Sequence, residues 1–224
     1  MTRTRLLPMP IEEIPFVLHP QALVPPLSWP VLFGREGPVE LEVGSGKGLF
    51  LIEASRRRPE SDFLGVERAG KWFHRAAERI LAADCPNIRL VRADAFDFLA
   101  RWVPPGSLSA LHVYFPDPWP KKRHFRRRLL QEAFYALGAR ALSPGGALLL
   151  ASDVQAYFAG ADREIRETGW FEPVPWPEDA PDRPATSYAR KYLKEGRPLC
   201  WAKFRRIGPG VASGPGVDPA ERPC

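Results

Sequence analysis

An α/β fold with a doubly wound, mostly parallel sheet is what this sequence predicts, and three observations carry the prediction. Short apolar runs alternate with amphipathic helical stretches from residue 38 to about residue 154. A glycine-rich turn, "GSGKG", closes the first of those runs, and acids stand at the ends of the later ones. Strands separated by helices need crossover connections, so they pair in parallel and are covered on both faces.

The elements follow in order. "PVELEV" (38–43) reads as a short buried strand and "KGLFLIEASRRR" (47–58) as a helix, with Pro59 just beyond its end. "DFLGVE" (62–67) is a second strand, "KWFHRAAERILAA" (71–83) a second helix, "NIRLVR" (87–92) a third strand and "AFDFLARW" (95–102) a short third helix. "LSALHVYF" (108–115) makes a fourth strand and "RRRLLQEAFYALGARAL" (126–142) a fourth helix. "GALLLAS" (146–152) makes a fifth strand behind the turn Ser143-Pro144-Gly145-Gly146. Beyond residue 154 the pattern weakens to a helix near 155–168 and strands at "WFEPV" and "LCWAKFRR". Residues 1–37 are proline-rich without periodicity, as in an arm lying over the domain, and 207–224 have the composition of a flexible tail. The organisation expected is arm 1–37, domain 38–206 and tail 207–224.

Composition bounds the function. A chain of 224 residues with 45% hydrophobic and 26% charged content fits one soluble globular domain with extensions. The net charge is +6, and Lys121 to Arg128 alone supply six cations and no acid, so the rest sums to zero. The basicity is a patch, which suits a polyanion such as nucleic acid. Cys85, Cys200 and Cys224 are odd in number and far apart, against a disulfide framework or a zinc site and for a reducing compartment. No apolar run approaches the roughly 18 residues of a membrane span, so a cytoplasmic, unanchored protein without metal is expected. Arginine outnumbers lysine 25 to 7, a bias that heat adaptation and a GC-rich genome would both produce. A monomer and a homodimer both stay open.

In doubly wound sheets, ligands sit outside the carboxyl ends of the strands, where the winding reverses. The first such end reads "LEVGSGKG": Gly44, Gly46 and Gly48 allow a tight turn and a close ligand. Leu49 stands where the dinucleotide fingerprint would have its third glycine, and the spacing suits methyltransferases better. Glu67 ends the second strand, placed to accept both hydroxyls of an adenosine ribose. Asp94 follows the third strand and Asp117 the fourth. Any one of these acids could be a helix cap or a solvated loop residue, and Asp94 is a plausible N-cap. Four at four successive strand ends suggest a pocket: Glu42 for a methionine ammonium, Glu67 for the ribose, Asp94 for the adenine amino group and Asp117 for a second substrate.

"LEVGSGKG", "GVE", "ADAF", "YFPDPWPKKRH" and Ser152-Asp153, in that order and spacing, resemble the tRNA (guanine-N7-)-methyltransferase family over roughly residues 38–205. The resemblance implies a Rossmann-like class I methyltransferase fold that moves a methyl group from S-adenosyl-L-methionine to N7 of a guanine in the tRNA variable loop. It also implies that Glu42, Gly44, Gly46, Glu67, Asp94 and Asp117 line the cofactor pocket. Lys121, Asp153 and the segment Thr186, Ser187, Tyr188 and Ala189 would then contact the tRNA. The family usually carries Thr-x-aromatic-Glu in that last segment, so Ala189 departs from the pattern.

The loop "YFPDPWPKKRHFRRR" (114–128) has a chemical reading of its own. Guanine N7 has a free lone pair, so methyl transfer from a sulfonium is an in-line displacement needing alignment more than a general base. Asp117 can accept from the guanine N1 and amino groups as the catalytic orienting residue. Trp119 offers a stacking plate, three prolines stiffen the path, and Lys121, Lys122 and Arg123 can meet phosphates. The competing reading makes Trp119 core and the basic run a solvated helix start. Against it, cations at a helix N-terminus oppose the dipole by ~0.3–1 kcal/mol each. A methyltransferase for protein or small molecules, and a non-catalytic RNA-binding module, are the two other classes left open.

Overall fold

The computed structural model describes residues 10–177, 180, 183–184 and 186–208. The expected tail lies outside the described residues from position 209 on. Among the described residues, eight strands form one sheet: β1 (Val17–Leu18), β2 (Val39–Val43), β3 (Asp62–Val66), β4 (Ile88–Val91), β5 (Leu108–Tyr114), β6 (Leu142–Ser152), β7 (Phe171–Val174) and β8 (Cys200–Arg206). The helices are α1 (Trp29–Phe33), α2 (Leu49–Arg57), α3 (Gly70–Ala83), α4 (Ala95–Arg101), α5 (Glu132–Ala141), α6 (Gln155–Glu167) and α7 (Ser187–Lys194).

The strand order is β1-β4-β3-β2-β5-β6-β8-β7. β1 to β6 pair in parallel, and β8 runs antiparallel to both β6 and β7. The doubly wound, mostly parallel sheet predicted from the alternation is therefore the one observed. From β2 the chain winds outward through β3 and β4, then restarts on the other side with β5 and β6. The winding reverses between β2 and β5, where such folds hold their ligands.

Two apolar cores cover the two faces. On one, Phe50, Leu51, Phe73, Ala77 and Ile80 of α2 and α3 pack over Phe63, Ile88 and Leu90. On the other, Phe98, Phe134, Tyr135 and Ile165 of α4, α5 and α6 pack over Leu41, Leu64, Leu111 and Leu148. Gly65 sets the depth of α2: a Cβ there would lie 2.5 Å from Leu51 Cδ1 and 2.9 Å from Leu90 Cδ1. Its absence lets α2, and the glycine turn feeding it, sit close over the sheet.

The structure departs from the sequence expectation in identifiable places. The helix expected over 126–142 begins only at Glu132; Lys122–Arg127 form a separate 3₁₀ segment and Arg128 is extended. The reason is tertiary. Arg128 Nε donates to the Pro118 carbonyl at 2.9 Å, its guanidinium lies 3.6 Å over the Phe125 ring, and Leu130 N–H donates to the Tyr157 hydroxyl at 3.2 Å. The dipole argument against a structural role for Arg126 to Arg128 therefore fails, because these residues do not open an α-helix. The strand expected from Gly146 starts at Leu142, with residues 143–146 bulged out between the pairs Leu108–Leu142 and Ala110–Ala147.

Within the proline-rich leading segment, Ile11, Ile14, Val17, Leu18 and Leu27 are buried and β1 pairs with β4. Sequence periodicity gave no sign of β1, α1 or α7. β1 is two residues long and exists only through its pairing, and α7 has a polar exposed face with Ala189 as its one buried residue.

Candidate active site

The carboxyl ends of β4, β3, β2, β5 and β6 lie side by side, and the expected site residues sit on the loops they feed. At the end of β2, Gly44 and Gly46 adopt left-handed φ of +74° and +54°, a conformation that favours glycine. A Cβ on Gly44 would meet nothing within 4 Å, so the space above the turn is open. Glu67 joins this turn to β3. Its two oxygens accept the backbone N–H of Gly46 at 2.9 Å and of Ala69 at 2.7 Å.

Glu42 is buried beneath the turn, and its Oε2 has no hydrogen-bond partner. Burial, and then the neighbouring Glu67 carboxylate, push its pKa well above the ordinary carboxylate range. A buried carboxyl with an unpaired oxygen suits a ligand cation, because an isolated buried charge is costly and a paired one is not. The chemistry of this donor set fits S-adenosyl-L-methionine, which carries an ammonium, a sulfonium and ribose hydroxyls.

Asp94 caps α4, its Oδ1 accepting from Phe96 N–H at 3.0 Å and Asp97 N–H at 3.3 Å. The cap and the adenine reading are compatible, since Oδ2 has only Arg68 at 3.8 Å.

Beyond β5 the loop turns sharply. Phe115 and Trp119 have φ of +55° and +40°, so two non-glycine residues within five positions lie in a strained region. Between them Asp117 is exposed. Arg127 covers one face of the Trp119 indole at 5.1 Å, and His124 meets it edge-on. Lys121, Lys122 and Arg123 are exposed, with Lys121 just before the 3₁₀ segment. Sequence reading missed that Arg128 braces this loop internally, so that one of the six cations in the cluster serves the fold.

A buried chain leads into the same loop. Arg58 forks onto Glu40 at 3.0 and 2.8 Å, and Glu40 accepts from His112 Nε2 at 2.8 Å. An ionised carboxylate only accepts, so His112 Nε2 donates to Glu40, and Nδ1 lies 2.7 Å from the Tyr114 hydroxyl. Burial alone would raise the Glu40 pKa, but His112 and Arg58 outweigh it and the carboxyl sits below the usual range.

α7 closes this edge of the site. Thr186 Oγ1 accepts Ala189 N–H at 3.0 Å, so the threonine expected to meet substrate is the N-cap of the helix. Ser187, Tyr188 and Ala189 form its first turn; Tyr188 is exposed and Ala189 buried. Tyr188 lies 6.1 Å from the Phe115 ring and 5.8 Å from Tyr192, which brings the segment to the Asp117 loop. Asp153, at the end of β6, accepts from Arg197 at 2.9 Å, and Arg190 pairs with Glu53 of α2. No signal in the sequence marked these two ion pairs. Among the described residues, no cluster of three or more His, Cys, Asp or Glu could hold a metal, and no helix is long and apolar enough to cross a membrane.

The family described as "Putative methyltransferase" matches residues 36–202. A tRNA (guanine-N(7)-)-methyltransferase of Thermus thermophilus is 42% identical over 177 residues, 79% of this chain and 56% of that protein; the match thus spans about half of that relative's length. One of Syntrophotalea carbinolica is 32% identical over 195 residues, 86% of this chain and 84% of that one. Among solved structures, a variant of the 16S rRNA (adenine(1408)-N(1))-methyltransferase of Catenulisporales acidiphilia with cosubstrate SAM superimposes with a TM-score of 0.55. It is 17% identical and covers 84% of this chain and 92% of its own, a likeness that shows the fold. With strand order, glycine turn and relatives in agreement, this chain belongs to the tRNA (guanine-N7-)-methyltransferase family and has the class I S-adenosylmethionine-dependent methyltransferase fold.

Proposed function

We propose that this protein transfers a methyl group from S-adenosyl-L-methionine to N7 of a guanosine in the variable loop of tRNA. The observation that carries the reading is the placement of two unlike features on one sheet edge. The glycine turn with the buried, unpaired Glu42 oxygen ends β2, and the strained Asp117 loop with its exposed cations ends the adjacent strand, β5. A methyl donor and a polyanionic acceptor would meet between them.

In this mechanism Glu42 takes the methionine ammonium, Glu67 the ribose hydroxyls and Asp94 the adenine amino group. The cofactor supplies an activated methyl on a positively charged sulfur. Asp117 accepts from the guanine N1 and amino groups and turns N7 toward that methyl. No proton leaves N7, so no residue has to remove one. The base would gain the positive charge as the sulfonium loses it, and a nearby carboxylate such as Asp117 favours that gain. Trp119 steadies the base, while Lys121, Lys122 and Arg123 hold the phosphates around it.

The test is to incubate the protein with unmodified tRNA and methyl-labelled cofactor and to map the product nucleoside. N7-methylguanosine confined to the variable loop is expected. Label at another atom, outside the variable loop, or only on protein or small molecules would overturn the reading.

A further inference from the structure

A second basic patch lies at the ends of β2, β3 and β4. Lys47 of the glycine turn and Lys71 of α3 both place their ammonium groups over the Trp72 indole, at 5.3 and 5.2 Å from its centre. Arg68, just after β3, and Arg92, just after β4, are exposed beside them. Arg92 lies against the start of α3, where a Cβ on Gly70 would be 3.2 Å from its guanidinium carbon.

Two acids, Glu67 and Asp94, stand against four cations. Glu67 spends both oxygens on backbone N–H groups, and Asp94 lies 3.8 Å from Arg68 while capping α4. Among the described residues no carboxylate pairs with Lys47 or Lys71. Helix stability does not explain the cations either. Arg68 and Lys71 flank the start of α3, which has no acid in its first turn, so each opposes the helix dipole. Two lysines over a half-buried indole, with Arg68 and Arg92 exposed after β3 and β4, form a surface suited to phosphates.

Position gives the partner. β4, β3, β2 and β5 are successive neighbours, so the ends of β4 and β5 are three strand spacings apart, about 14 Å at ~4.8 Å each. Arg68 and Arg92 follow β3 and β4, Lys71 lies in the first turn of α3 and Lys47 in the β2 turn, whereas Lys121–Arg123 follow β5. A folded RNA whose reacting base enters between them would lay backbone on both.

We propose that Lys47, Lys71, Arg68 and Arg92 with Trp72 form a second phosphate-binding surface for the same tRNA, which holds its backbone on the far side of the cofactor pocket. This rests on the function proposed above.

The experiment measures tRNA binding by the full chain, saturated with cofactor, against salt concentration. The variants are Lys47→Gln/Lys71→Gln, the triple alanine variant of Lys121, Lys122 and Arg123, and the combination. Each phosphate contact contributes ~0.7–0.9 to the log–log slope, so the double variant should flatten it by about 1.4 to 1.8, additively with the triple variant. Cofactor affinity, read by calorimetry, should stay within about twofold of wild type. A wild-type slope in the double variant overturns the surface. So does a loss of cofactor affinity with an unchanged slope, which would assign the lysines to the cofactor. If the wild-type protein binds and methylates tRNA while the double variant keeps its slope, only this inference falls; if the wild type binds no tRNA, both readings fall.

Discussion

Glu67 and Gly46, 21 residues apart in sequence, are joined by a hydrogen bond of 2.9 Å from the glycine N–H to a carboxylate oxygen. The acid at the end of β3 therefore fixes the shape of the turn at the end of β2. A hydrogen bond to a charged group contributes about 1.5–3 kcal/mol. Glu67→Ala should thus lower the melting temperature and weaken cofactor binding roughly ten- to a hundredfold, with tRNA affinity nearly intact. Calorimetry with S-adenosylmethionine checks this, and unchanged cofactor affinity would remove Glu67 from the pocket.

Glu42 predicts a pH dependence. Its folded pKa is raised by burial and by Glu67, so the folded protein holds this proton more tightly than the unfolded chain does. The associated stability is present below the unfolded value of 4.5 and is lost as pH rises through the folded pKa. A bound cation would reverse the effect by favouring the carboxylate. Without cofactor, stability should decline with pH over that window, Glu42→Gln should remove the decline, and saturating cofactor should flatten it in the wild type. Denaturant unfolding at a series of pH values reads all three. A wild-type slope in Glu42→Gln would show that another group is responsible.

Much of this architecture was legible because the sheet is parallel and buried: apolar runs such as Leu148 to Leu150 stand between helices whose faces repeat. The acids at strand ends were legible because topology alone brings such ends together. What stayed hidden depends on contacts distant in sequence. Arg128 reads as one more cation in a run, yet its bond to Pro118 and its packing on Phe125 keep residues 128–131 out of the following helix. The pairing of Asp153 with Arg197 and of Glu53 with Arg190 likewise needs the fold before it can be seen.

Thr186 has acquired a structural duty. It caps α7, and α7 carries Tyr188 to the Phe115 ring beside the Asp117 loop. Replacing a threonine cap with alanine costs about 1 kcal/mol. Thr186→Ala should therefore lower both melting temperature and methylation rate, and Thr186→Ser, which keeps the oxygen, should restore both. If serine rescues stability without rescuing rate, the threonine has a further contact with substrate. Wild-type behaviour in the alanine variant would deny the cap any importance.

Asp117 stands between two residues of positive φ, exposed at the end of β5. Its proposed task is to orient guanine and to offset charge, because N7 presents its lone pair without any proton to remove. Asp117→Asn should still be severely impaired: the amide supplies one acceptor where two are used and turns a donor toward the base's own donors. Losing ~3–4 kcal/mol of alignment and electrostatic stabilisation corresponds to a rate roughly a hundred- to a thousandfold lower. Single-turnover rates of the wild type, at saturating tRNA and cofactor, should be flat between about pH 6 and 8, since no proton abstraction limits the step. A rate that climbs across that range in the wild type and loses its slope in Asp117→Asn would make Asp117 a general base, and the orienting mechanism would be wrong.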